Sequence, residues 1–285
     1  DLQDIGSRYY TYAATGVWAA EAALAAGCEV WILDRPNPLG GEVVEGDLPR
    51  PGFESFVGAF RMPVRHGLTL GEIFCLEGAR RDWQGSWSLW KMQGWERSMS
   101  WSDTGLPWVA PSPNMPTLET ALLYPGACLV EATEMSEGRG TTRPFELVGA
   151  PGLDPLAFSR ALAARALPGL AFVPTYFRPQ FQKHRGVVCG GVEQHVTDAS
   201  AFASYRAGVE LLDVAYRLGA LVWRAAPYEF VSDIPAIDLL TGGPECRAAI
   251  ESGQGLSEWL TNWRADEEEF RRERREVLLY PEGSR

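Results

Sequence analysis

The opening of the chain dictates the architecture. Asp1-Leu2-Gln3-Asp4-Ile5 reads as the tail of a strand, and from Ser7 to Ala26 small and apolar residues recur at helical spacing through Tyr10, Ala14, Val17 and Leu24. Gly27 supplies a helix stop, and Glu29-Val30-Trp31-Ile32-Leu33 follows as a short, nearly continuous apolar strand. Strand, helix, strand in this order is a βαβ unit, whose crossover requires a parallel sheet. Ligands of such sheets collect beyond the carboxyl ends of the strands. Natural chains rarely begin halfway along a core strand, so further residues are expected ahead of Asp1.

The remaining elements extend this pattern. Thr69 with Glu72 has capping-box spacing and predicts a helix start, weakened by Gly71. Residues 83–108 hold six of the eleven tryptophans, which suits core packing and also stacking on sugar rings, with Trp95, Trp101 and Trp108 near Asn114 and Thr117. Ala127-Cys128-Leu129-Val130-Glu131 reads as a further apolar strand, introduced by Tyr124-Pro125-Gly126. After Pro151-Gly152 the texture changes. Asp154 and Pro155 open a helix that ends before Pro168, and β-like segments run from Ala171 to Arg178 and from Gly186 to Thr197. An amphipathic helix then starts at Thr197-Asp198 and stops at Gly219. Glu258 to Tyr280 is a charged helix, and its Glu267–Glu276 run reads as a solvated face. A boundary near residue 150 divides a Rossmann-like α/β domain, residues 1–150, from a smaller α+β domain, residues 151–285.

Charge and cysteine content narrow the function. With 26 basic and 37 acidic residues the net charge is −11, a field that repels nucleic-acid backbones. No apolar stretch is long enough for a membrane span. The five cysteines are scattered without a CxxC pair and read as structural thiols, and the three histidines have no ligand spacing, so no metal is expected. A serine hydrolase lacks its Gly-x-Ser-x-Gly elbow.

Three polar motifs then stand out: Gln3-Asp4-Ile5-Gly6-Ser7-Arg8, Asp34 to Gly41, and Glu131 to Thr142. If their strands are neighbours, all three face one cleft, where crowded carboxylates can divide into an acid and an ionised partner. Each also has a structural reading. Asp34 suits a cap, and Gly138-Arg139-Gly140-Thr141-Thr142 resembles a phosphate nest without the P-loop lysine. His66 and His195 can line a cleft or serve the framework, while His184, between Lys183 and Arg185, reads as surface.

Taken in order, DLQDIGSRYYTY, LDRPNPLGG, VEG, SFVG, PVRHGLTLG, TGLPWVAPSPNMPT, SEGRGTTRPFELVGA, PTYF and CGGVEQHVTD resemble the NamZ-type exo-β-N-acetylmuramidases, a YbbC-like group long catalogued as a domain of unknown function. The resemblance covers nearly the whole chain. It implies a Rossmann-like catalytic domain joined to a smaller α+β domain, with the active site between them. It also implies release of N-acetylmuramic acid from the non-reducing end of peptidoglycan fragments, outside the cytoplasm (periplasmic or secreted), without cofactor. Two departures are visible. The family carries an upstream Pro-Glu-His-Gly segment that supplies a glutamate, and it usually has Asn where this chain has Glu134. The catalytic candidates are Glu137, then Asp4. The substrate-binding candidates are Arg8, Arg35, Asn37, His66, Asn114, Arg139 and His195, with Arg35 ranked first for the lactyl carboxylate of muramic acid. The alternative is a sugar-binding or scaffold protein of the same fold that has lost catalysis.

Overall fold

The computed structural model describes residues 1–281. Helix α1 (Tyr12–Ala25) ends at Gly27, whose φ of +76° and N–H bond to Leu24 O close the last turn. Strand β1 (Val30–Leu33) follows, then a long, largely buried loop with a 3-10 turn at Phe56–Gly58, and helix α2 (Leu70–Arg80), which begins with the expected capping box at Thr69 and Glu72. Strand β2 (Trp87–Trp90) emerges from the tryptophan-rich segment and pairs with β1 in parallel, Val30 opposite Trp87. The parallel crossover runs through α2 to β2, not from Asp1–Ile5 through α1 as the sequence pattern suggests. Asp1–Ile5 carries no strand pairing among the described residues, and burial of Asp4 and Ile5 ties it down instead.

One expected element is of the wrong type. The apolar run after Tyr124-Pro125-Gly126 is not a strand: helix α3 (Leu118–Ala127) continues through Pro125, and Cys128–Ala132 forms a 3-10 turn. A short apolar run buried on all sides has no diagnostic period, so helix and strand look alike in sequence. The close approach of helix α5 (Ser204–Arg217) settled the matter. Gly126 and Gly208 meet where the helices cross, and a Cβ on Gly126 would lie 2.0 Å from Ser204 O. This α5 begins at Ser204, seven residues beyond the expected start.

Strands β3 (Leu147–Ala150), β4 (Leu170–Phe177) and β5 (Cys189–Val196) make an antiparallel sheet in the order β3-β5-β4. Helix α4 (Pro155–Ala163), capped by Asp154, packs on it. Helices α6 (Ala236–Thr241) and α7 (Glu245–Ser252) complete the larger core with α3 and α5, while a second core gathers α1, β1 and α2.

Helix α8 (Leu256–Arg274) joins both cores: Trp259 and Trp263 enter the larger one and Phe270 the other. Its charged run is solvated on one side only, with Glu268, Glu269, Arg272, Arg275 and Glu276 exposed. Asp266 and Glu267 accept the N–H groups of Leu48 and Gly46, and buried Arg274 donates to the carbonyls of Gly41, His66 and Gly67. Period alone could not show this, because the partners are loop backbone groups more than two hundred residues away.

The α3–α5 crossing can be tested directly. Gly126→Ala should lower stability by about 1–3 kcal/mol through overpacking, read as a lower urea midpoint at unchanged m. Gly27→Ala, where nothing lies within 4 Å of the new Cβ, should cost only about 1–2 kcal/mol of backbone strain.

Candidate functional site

The loop leaving β1 is organised by Asp34. Its carboxylate accepts from Thr69 Oγ1 and Gly71 N at 2.7 Å each, from Tyr280 OH at 2.6 Å and from Arg35 N at 2.9 Å. It therefore caps the N-terminus of α2, where an anion complements the helix dipole. Asn37 is fully engaged with backbone: Nδ2 donates to Leu68 O and Oδ1 accepts from Leu39 N, both at 2.9 Å. The rigid loop turns Arg35 outward, its side chain 43% exposed and paired with Asp1. Arg35 borders a groove of about 430 Å³ beyond the carboxyl ends of β1 and β2, walled by Met92, Trp95, Met99 and Leu106. An adjoining groove of about 380 Å³ shares Asp1, Arg35 and Leu106 and adds Tyr12 and Trp101.

A buried Asp–His pair sits behind this loop. His66 Nδ1 accepts the N–H of Leu68 at 3.1 Å, which leaves the proton on Nε2, 3.4 Å from Asp4 Oδ2. Gly6 N donates to the same oxygen at 2.7 Å, while Asp4 Oδ1 is buried without a hydrogen-bond partner among the described residues. Arg8, two residues on, serves the framework. Its guanidinium donates to the carbonyls of Asp47, Met62 and Leu240.

The second carboxylate group lies in the turn after the 3-10 segment. Glu137 is buried, with Lys183 Nζ 2.9 Å from Oε2 and Arg139 Nε 3.4 Å from Oε1. Arg139 also binds Glu131 Oε1 at 2.5 Å and stacks over the Phe145 ring at 4.9 Å. Burial alone would lower the pKa of Arg139, but the Glu131 carboxylate outweighs it and raises it. Glu131 takes a further bond from Tyr228 OH at 2.9 Å, and burial, reinforced by Glu131, pushes that phenol up. Glu229 is raised in the same way, by burial and then by the Glu131 charge.

A ladder of aromatic rings leads to the Glu137 group. Tyr10 meets Tyr124 edge-on at 6.1 Å; Tyr124 meets Phe145 at 4.8 Å, and Phe145 lies beneath Arg139. Asn114 lies in the 111–117 loop that Tyr12 OH holds through Pro111 O, and its side chain makes no hydrogen bond among the described residues. His195 belongs to a different charged group, 3.3 Å from Glu193 Oε1, which in turn pairs with Arg143. Trp95 and Trp101 are buried against Tyr280 and Trp108, so they pack more than they display a stacking face.

Sequence reasoning missed Lys183 and Tyr228. The first stood in a basic loop triplet that reads as surface, and the second is 97 residues from the carboxylate it binds. Five free cysteines, three of them buried, agree with structural thiols. Among the described residues no His/Cys/Asp/Glu group could hold a metal ion, and no helix is long and apolar enough to cross a membrane.

Comparison with known proteins matches the chain to one family. The model of the N-terminal region of the exo-beta-N-acetylmuramidase NamZ matches residues 1–119, and that of its C-terminal region matches residues 122–280. The Peptidoglycan beta-N-acetylmuramidase NamZ of Bacillus subtilis (strain 168) is 38% identical over 280 residues, which make up 98% of this chain. The chain spans 66% of that relative's length. Two DUF1343 family proteins from Bacteroides fragilis NCTC 9343 have similar crystal structures. BF0371 aligns with a TM-score of 0.87 at 30% identity, over 98% of this chain and 73% of its own. BF0379 aligns with a TM-score of 0.72 at 27% identity, over 99% and 75% respectively. With both regions matched in order along nearly its whole length, the chain belongs to the NamZ family of exo-beta-N-acetylmuramidases.

Proposed function

We propose that the protein is a glycoside hydrolase releasing N-acetylmuramic acid from the non-reducing end of peptidoglycan fragments. Family membership and the name of the Bacillus subtilis relative support this reading. The observation that carries it is the match of both family regions, in order, along nearly the whole chain; the structure adds two buried carboxylate groups, Asp4 with His66 and Glu137 with Lys183 and Arg139. Glycoside hydrolysis needs one group to protonate the leaving oxygen and a second carboxylate to act as base or nucleophile. Both oxygens of Glu137 face cationic donors, an arrangement suited to a carboxylate, so Glu137 takes the second role. Asp4 Oδ1, without a hydrogen-bond partner among the described residues and on a carboxyl whose Oδ2 faces an oriented imidazole, is the atom assigned to proton delivery. The chemistry requires no cofactor, and a wall-derived substrate puts the protein in the periplasm or the medium. Cell fractionation checks that location.

Muramic acid differs from N-acetylglucosamine by a lactyl ether, so selection between them requires a local cation. Arg8 is committed to three carbonyls and Arg139 to two carboxylates, whereas Arg35 stands on the groove wall, its side chain held among the described residues by the exposed Asp1 alone. Its planar guanidinium can exchange that partner for the lactyl carboxylate.

Two substitutions test these roles. Glu137→Gln should reduce turnover of a chromogenic N-acetylmuramide by about 10²–10⁴-fold with an unchanged circular dichroism spectrum; near-normal turnover would remove Glu137 from the mechanism. Arg35→Leu should weaken muramide binding by roughly ten- to a hundredfold, equivalent to about 1.5–3 kcal/mol for a charge-assisted bond. Glucosaminide hydrolysis should change little, and an equal loss on both substrates would exclude Arg35 as the reader of the lactyl group.

A further inference from the structure

Lys183 reaches Glu137 from the loop between β4 and β5, 46 residues away in sequence. Its ammonium has three N–H donors, and all three are taken: Glu137 Oε2 at 2.9 Å, Met135 O at 3.0 Å and Val130 O at 3.1 Å. The side chain is 19% exposed, so this is a fixed charge rather than a mobile surface lysine.

The loop holds this position at a cost. The residues on either side of Lys183, Gln182 and His184, have φ of +66° and +56°. Left-handed backbone at non-glycine residues is unfavourable and persists only where the surroundings enforce it. Here the enforcement comes from the turn that carries Glu137. Gln180 N donates to Gly140 O at 2.8 Å, and the His184 imidazole donates Nε2–H to Glu134 O at 2.6 Å. A Cβ on Gly140 would stand 2.5 Å from Phe181 O, so the loop lies directly on the Gly138-Arg139-Gly140 turn. A buried ion pair adds little net stability, so a stability role gives poor reason to keep two strained residues for one lysine. Delivering a charge to a chosen carboxylate oxygen is a better one.

We propose that Lys183 is a positioning residue: it anchors Oε2 of Glu137, fixing the orientation and the ionised form in which that carboxylate meets the sugar ring. The proposal rests on Glu137 being the catalytic carboxylate.

The test compares Lys183→Met and Lys183→Arg in the full chain, with turnover of a chromogenic N-acetylmuramide followed across pH. Lys183→Met should lower kcat at least tenfold. Removing a neighbouring cation disfavours the charged carboxylate, so the acid limb of the profile should move to higher pH. Lys183→Arg should return the limb to its original position while recovering only part of kcat, because a planar fork cannot reproduce three converging bonds. Lower thermal stability with an unmoved acid limb would overturn the proposal and leave Lys183 a structural residue. A second readout needs no activity. A carbon-13 titration of the Glu137 carboxyl should show its midpoint rising in Lys183→Met, and an unchanged midpoint would also overturn the proposal. If the midpoint rises but Glu137→Gln retains full turnover, the coupling of Lys183 to Glu137 stands and the catalytic assignment of Glu137 fails.

Discussion

Two buried guanidiniums hold the Asp4–His66 end of the site in place. Arg97 pairs with Glu72 at 2.6 Å and also donates to the carbonyls of Gly41 and Gly67. Arg274 arrives from α8 and donates to Gly41, His66 and Gly67. Glu72 is in the same network three times over, as the capping residue of α2, as the partner of Arg97 and as acceptor for Leu279 N. Buried charges are tolerated only when paired and fully hydrogen-bonded. The α2 start, the His66-Gly67 turn, the tryptophan-rich segment and the C-terminal segment must therefore assemble together. The Asp4–His66 pair inherits its geometry from that assembly.

The Glu137 end is built differently. A turn, a 3-10 segment and a hairpin loop, which have little regular structure of their own, are locked by ion pairs and by close backbone contact at Gly140. Phe145, at φ +64°, donates its N–H to Glu137 O and accepts from Gln194 Nε2 through its own carbonyl, which keeps its ring under Arg139. Strain of this kind gathers where geometry must be held rather than where stability is greatest. A net charge of −11 gives no hint that the most carefully placed charges around Glu137 are cationic.

Local signals in the sequence carried a good part of the fold. The Gly27 stop, the Thr69 box and the Asp154-Pro155 start are set by short-range sterics and capping, which act over a few residues whatever the tertiary context. Family resemblance likewise rested on ordered motifs, and both family regions match the chain. Asp4 and Glu137 were legible as candidates because carboxylates embedded in glycine-rich motifs are conspicuous.

What the tertiary structure alone decided is which partner each of these groups meets. Asp34 and Asn37 sit in the same loop as Arg35, yet the first two turn inward to backbone and hydroxyl donors while Arg35 faces the groove. The 128–132 segment is a 3-10 turn that continues α3, and α5 crosses α3 where Gly208 meets Gly126, 82 residues away in the chain. Lys183 and Arg274 looked like solvated charges until the fold surrounded them with acceptors. Period and composition report the local preference of a segment. Long-range hydrogen bonds and ion pairs depend on coordinates that exist only once the chain has closed on itself, and those bonds make the site.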